Sequence, residues 1–127
     1  MASGYGEINS MNTRERGKWG ESLALEFLNK KNYVTVARQW RSRFGEIDMI
    51  VKNEEYIVFV EVKLRKNSNF AQAREYVGKT KQSKLRATAG LWLALHQTKL
   101  QPRFDVIEIY AADENQRPQI IHIENAF

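Results

Sequence analysis

The sequence contains no cysteine, two prolines and two histidines, and no apolar run close to the about 18 residues that a membrane-spanning helix requires. Without thiols there is no disulfide framework, no thiolate zinc site and no cysteine nucleophile. His96 and His122 stand too far apart in the chain to offer a zinc spacing. Any metal held here must therefore be held by oxygen. The opening segment MASGYGEINSMNTRER lacks the apolar stretch of an export signal, so a cytoplasmic protein with no membrane partner is expected.

What the 127 residues do contain is a net charge of +5, a moderate excess of base that favours a polyanionic partner. The length suits a single domain, expected over residues 13–127 behind a loose Gly-, Ser- and Asn-rich arm at 1–12. Thr13 is placed to cap a helix running to about Lys31, with Trp19, Leu23 and Phe27 on one apolar face. Three β-rich runs follow, Tyr33 to Arg38, Ile47 to Val51 and Tyr56 to Leu64. Arg43-Phe44-Gly45 and Lys52 to Glu55 are the breaks between them. After a polar stretch from Lys66 to Tyr76, a second helix is expected from about Val77 to Gln97. Strands at Phe104 to Tyr110 and Gln119 to Ile123 follow, with a turn through Asp113 to Pro118 between them. The α-β-β-β-α-β order, with its short final strand, predicts an α/β fold with a mixed central sheet flanked by helices.

The stretch FGEIDMIVKNEEYIVFVEVKLR is the most apolar in the chain, yet it carries Asp48, Glu61 and Lys63 among its strand residues. A hairpin closed around Asn53 and Glu54 pairs Asp48 with Phe59. The two-residue period then gives Asp48, Glu61 and Lys63 one face, with Asp48 diagonal to Glu61 and Ile47, Met49 and Val51 opposite. Both faces remain largely apolar, so a central, covered hairpin is expected and solvated surface charge explains the acids poorly. On the first helix, Glu21 falls between Leu25 and Leu28, beside the apolar side. Gly17 and Gly20 would let another group approach there.

Two carboxylates a few ångströms apart repel each other, and a hard divalent cation such as Mg²⁺ or Mn²⁺ offsets that repulsion through oxygen ligands. Beside a metal and a phosphate, Lys63 would orient or deprotonate the attacking water, or stabilise developing negative charge. The chemistry suggested is metal-dependent hydrolysis of a phosphodiester.

Asp48, followed after a gap of twelve residues by Glu61-Val62-Lys63 in a strand, resembles the PD-(D/E)xK nuclease motif, and the element order is similar to the restriction-endonuclease-like core. Gly17-x-x-Gly20-Glu21, Gly45-Glu46-Ile47-Asp48, Phe59 to Lys63, Arg103 to Ile107 and Asn125-Ala126-Phe127 together resemble the YraN-like family of uncharacterised bacterial proteins. That likeness spans about residues 13 to 127, and the family is similar in turn to archaeal Holliday-junction resolvases. The resemblance implies that Glu21, Asp48, Glu61 and the Val62 carbonyl bind the metal. It makes Lys63 the catalytic base or charge stabiliser, and gives Gln82 a part in orienting groups near the site. Ile47 stands where the motif's name has proline, a departure that removes no ligand.

Lys79, Lys81, Lys84 and Arg86 crowd the front of the second helix, where the dipole already favours an anion. Arg41, Arg43, Arg65 and Lys66 flank the hairpin and extend the candidate nucleic-acid footprint. The expected activity is a structure-selective DNA nuclease working by in-line attack of an activated water. A homodimer would present two such sites to a duplex. The competing readings are a nucleic-acid-binding protein of nuclease fold without turnover and an interaction domain whose charges form a structural ion-pair network. His96, His122 and the three tryptophans are expected to be packing residues, and Asp105 after Arg103 structural.

Overall fold

The computed structural model describes residues 11–65, 77–111 and 117–127. Most of the expected N-terminal arm, the polar stretch from 66 to 76 and most of the turn at 113–118 lie outside them. The elements are α1 (Thr13–Lys30), β1 (Val34–Ser42), β2 (Gly45–Lys52), β3 (Tyr56–Arg65), α2 (Lys79–Leu95), β4 (Gln101–Tyr110) and β5 (Gln119–Ile123). The strands lie in one five-stranded sheet in chain order, so β3 is central. Neighbouring strands are antiparallel except β3 and β4, which run parallel and are bridged in sequence by α2. The α/β class, the mixed sheet and the element order agree with the sequence reading. Among the described residues no helix is long and apolar enough to cross a membrane.

Asn12, not Thr13, caps α1: its Oδ1 accepts the Glu15 N–H at 2.8 Å, and Thr13 is the first helical residue. The helix ends where Asn32 adopts a left-handed φ of 69°. Its buried line is Gly20, Ala24 and Leu28, with Trp19, Leu23 and Phe27 beside it. This line covers Met49, Val51, Val58, Val60, Ile107 and Ile109 on one side of the sheet. Gly20 fits close against Leu64 and Ile109, whereas a Cβ at Gly17 would meet nothing. On the other side Leu85, Ala89 and Trp92 of α2 cover Ile47, Ile50, Ile57, Phe59 and Val106. Both faces of the β2–β3 hairpin are thus covered, as its apolar character demands.

Two details of that hairpin differ from the expected pairing. Met49 pairs with Val60 and Ile50 with Phe59, because Asn53 Oδ1 accepts the N–H groups of both Glu55 and Tyr56 and moves the centre of the loop one residue on. Glu61, and not Phe59, is therefore level with Asp48. The parity is kept, so Phe59 and Glu61 still share the α2 side. Ile47, however, joins the α2-side core instead of sharing a face with Met49 and Val51.

On β4, on the side of the sheet that α1 covers, lies a buried ionic cluster. Arg103 donates twice to Asp105, from Nε and from an NH2 group, at 2.8 Å each, and to the Tyr33 hydroxyl at 2.6 Å. Asp105 also meets His122 Nε2 at 2.6 Å and accepts the Asn125 N–H at 3.0 Å. Lys31 Nζ lies 2.8 Å from His122 Nδ1. Burial opposes ionisation of Asp105, but His122, Arg103 and the Asn125 amide more than offset it and hold its carboxyl below the usual range. The cluster ties the chain end to β4 and to the α1–β1 junction, while Ala126 N–H donates to the Phe104 carbonyl and Phe127 stacks on the Phe104 ring. Asp105 is structural here, as expected, and His122 is packed into the same network.

Removing the carboxylate leaves a buried guanidinium with only the exposed Glu124, 4.0 Å away, as counter-charge, and breaking a buried pair in this way typically costs about 3–5 kcal/mol. Asp105→Ala should therefore lower the urea midpoint sharply. A loss below about 1 kcal/mol would show that the cluster is not structural.

Candidate functional site

The hydrogen-bonded ladder between β2 and β3 stops at Met49 and Val60, although both strands continue. On their outer sides β2 stays paired with β1 to Gly45, and β3 with β4 to Arg65. The sheet therefore forks between its second and third strands, and the register carried one step past the last pair brings Asp48 level with Glu61. In the fork, Val62 N–H has no strand carbonyl to meet; it donates instead to Asp48 Oδ2 at 2.8 Å. Ile47 and Met49 face opposite sides of the sheet, so the alternation breaks at Asp48 and its side chain lies in the fork. This corrects the expectation that Asp48, Glu61 and Lys63 share one plain face. The residue beside Asp48 on β1 is Gln39, whose φ of 49° lets that strand turn with it.

Each side of the sheet contributes to the fork. From α1, Glu21 accepts a hydrogen bond from Gln39 Nε2 at 3.0 Å. From α2, Lys81 Nζ lies 2.7 Å from Glu61 Oε1, and Lys63 Nζ lies 3.8 Å from the same oxygen. Glu61 is buried, with Lys63 largely and Lys81 only partly enclosed.

The electrostatics follow from this crowding. Burial, then the neighbouring Glu61 and Glu21, push Asp48 from an ordinary 3.8 up to about 7, against the opposing pull of the Val62 N–H and Lys81. Burial likewise raises Glu21, with Glu46 and Glu61 adding to it and Gln39 and Arg38 opposing. Lys63 is pushed below the usual amine value, first by burial and then by Lys81. Lys81 also loses solvent, but its hydrogen bond and attraction to Glu61 outweigh that loss and raise it. Asp48 thus feels acids from both helix-covered sides of the sheet at once.

The donors gathered here are oxygens of hard character, the set that suits Mg²⁺ or Mn²⁺ in place of zinc. Among the described residues no three acidic or histidine side chains are close enough to cage an ion as they stand. Lys81 is the nearer of the two cations at Glu61 in this arrangement. At Val62 it is the N–H that meets Asp48.

The other expected contact residues are more dispersed. Lys79 and Lys84 are exposed on the first half of α2, while Gln82 directs its amide back to the Val77 carbonyl at 2.7 Å. Arg43 lies over the Phe44 ring at the β1–β2 turn, with its guanidinium 4.8 Å from the ring centre. That turn sits against α2: Ser42 Oγ is 3.4 Å from Thr88 Oγ1, and Gly45 has a φ of 153° that side chains rarely adopt. Arg65 ends β3, half-buried. Lys66 lies outside the described residues. Sequence reasoning did not single out Gln39 or the buried Glu108, which is level with Lys63 in the parallel ladder. A lone glutamine in a polar run gave no signal, and the alternation Ile107-Glu108-Ile109 reads as an ordinary solvated position.

A model of the uncharacterised protein family UPF0102 matches residues 20–109. A UPF0102 protein of Caldicellulosiruptor bescii is 41% identical over 119 residues, covering 92% of this chain and all of the relative. One of Dictyoglomus thermophilum is 32% identical over 118 residues with the same coverage, and one of Clostridioides difficile is 38% identical over 118.

The raised Asp48 fixes the sign of a pH effect. The native state holds its proton to higher pH than the unfolded chain, so this group's contribution is full below about 4 and is lost as pH rises through about 7. Asp48→Asn should therefore stabilise the protein in chelator at pH 8 by about 1–3 kcal/mol, with the gain vanishing near pH 4. Denaturation at the two pH values measures it; destabilisation at pH 8 would contradict the crowding.

Proposed function

The chain belongs to the uncharacterised protein family UPF0102, and we propose that it is a metal-dependent nuclease that hydrolyses phosphodiester bonds in DNA. The observation that carries this reading is the fork itself, where Asp48 and Glu61 are brought level with each other, with Lys63 and Lys81 on the same glutamate. An acid pair kept at such electrostatic cost, with a base two residues along, points to a site selected for reaction, since a purely structural network is better satisfied. The α/β order and mixed sheet are those that a restriction-endonuclease-like core requires, which supports the same reading.

In this proposal Asp48, Glu61 and Glu21, with the Val62 carbonyl, hold Mg²⁺ or Mn²⁺. The ion, when bound, supplies Lewis acidity and makes a nearby water more acidic. Lys63 faces the reacting phosphate from within the fork. Its lowered basicity suits it to take a proton, and in its charged form it would stabilise the oxygens on which charge develops. The exposed lysines of α2 and Arg43 on the adjoining turn supply sequence-independent phosphate contacts. Recognition then depends on the shape of the nucleic acid, and a homodimer would set two sites against its strands.

Purified protein should cut DNA in the presence of Mn²⁺ or Mg²⁺ and not in chelator, with preference resolved by a panel of duplex, single-strand, flap, junction and RNA substrates. Asp48→Ala, Glu61→Ala and Lys63→Ala should each lower the rate by about 10²-fold or more. No cleavage with either ion, or full activity in Lys63→Ala, would refute the mechanism.

A further inference from the structure

Glu61 Oε1 is shared by two ammonium groups that arrive by different routes. Lys63 comes from the same strand, two residues on, and its side chain is 25% exposed. Lys81 comes from the first turns of α2, and its side chain is 47% exposed. Lys81 also makes the closer contact, 2.7 Å against 3.8 Å. The closer cation is therefore the one with room to leave.

We propose that Lys81 is an exchangeable counter-ion: it occupies the cation position at Glu61 until a divalent ion arrives, then swings out to hold the nucleic-acid phosphate. This rests on the nuclease reading above. A divalent ion bound to Glu61 Oε1 would repel an ammonium held 2.7 Å from that same oxygen far more strongly than one at 3.8 Å, so Lys81 is the cation it displaces. Glu61 cannot move away to make room, because its side chain is only 8% exposed and it sits on the central strand of the sheet. Lys81 can, since a lysine is a compact charge on a flexible stem, and half of this one already lies in solvent. Once released, its amine remains on the helix side that carries Lys84, three residues on, near the helix start at Gly78, which has no side-chain cap. Arrival of the ion and grip on the phosphate are thereby linked through a single side chain, which couples substrate affinity to metal binding.

The same geometry gives the two lysines separate tasks. Lys63 stays enclosed in the fork beside the reacting group. Lys81 alternates between the acid and the substrate.

The test is Mn²⁺ binding by calorimetry, without nucleic acid, to the wild type and to Lys81→Met, Lys81→Arg and Lys84→Met. Lys81→Met removes the competing charge at similar length and should bind Mn²⁺ about 3- to 10-fold more tightly. Lys81→Arg, which keeps a cation at Glu61, should stay near the wild type. Lys84→Met removes one charge from the same helix without touching the site, and should change affinity less than about 2-fold. In Ca²⁺, Lys81→Met should bind DNA more weakly with a salt slope reduced by about one phosphate contact. Unchanged or weaker Mn²⁺ binding by Lys81→Met, or an equal gain in Lys84→Met, would overturn the exchange while leaving the nuclease reading standing. Failure of every variant and of the wild type to bind Mn²⁺ would overturn both.

Discussion

Two carboxylates held level with each other in a half-dry fork cannot both ionise at low cost, and much of the surrounding structure follows from that constraint. Strands β2 and β3 separate just where Asp48 and Glu61 meet, and the Asp48 side chain takes over a backbone N–H that the ladder abandons. Gln39 takes a left-handed turn on the neighbouring strand and holds Glu21 toward the same place. Two lysines converge on Glu61 from the other side. Burial raises the electrostatic stakes of each of these contacts, because solvent no longer screens the acids from one another.

The second ionic cluster shows what a settled network looks like in the same chain. Around Asp105, arginine, histidine and a backbone amide meet a buried carboxylate at hydrogen-bond distance, and its acidity is strengthened. Around Asp48 the balance runs the other way, and the acid is pushed up to about 7. One cluster closes the end of the fold; the other is left short of positive charge. That contrast within one small sheet is the ground on which a cation at the fork is proposed.

The order of elements and the pairing of β2 with β3 were legible in the sequence because β2, β3 and β4 are nearly continuous apolar runs bounded by polar breaks. The parity of the hairpin was legible too, so Glu61 and Lys63 were placed on the correct side. The shift of its centre was not, since it depends on the Asn53 side chain accepting two loop amides. Nor was the second half of β1, a polar run whose Gln39 breaks the strand geometry. The in-fork position of Asp48 and the reach of Lys81 depend on how β2 and α2 sit in three dimensions. Both meet β3 through contacts of long sequence separation that no local pattern encodes. Asp105 could be read as structural from Arg103 beside it, but its partners His122 and Asn125 are visible only after the last strand folds back.

The most direct measurement is the number of protons released when Mn²⁺ binds, obtained by calorimetry in buffers of different ionisation enthalpy at pH 7 and pH 8.5. An acid pair that waits for a cation with Asp48 near half-protonation should release about half a proton per ion at pH 7 and almost none at pH 8.5. Binding without any pH-dependent proton release, or no saturable binding at all, would contradict it.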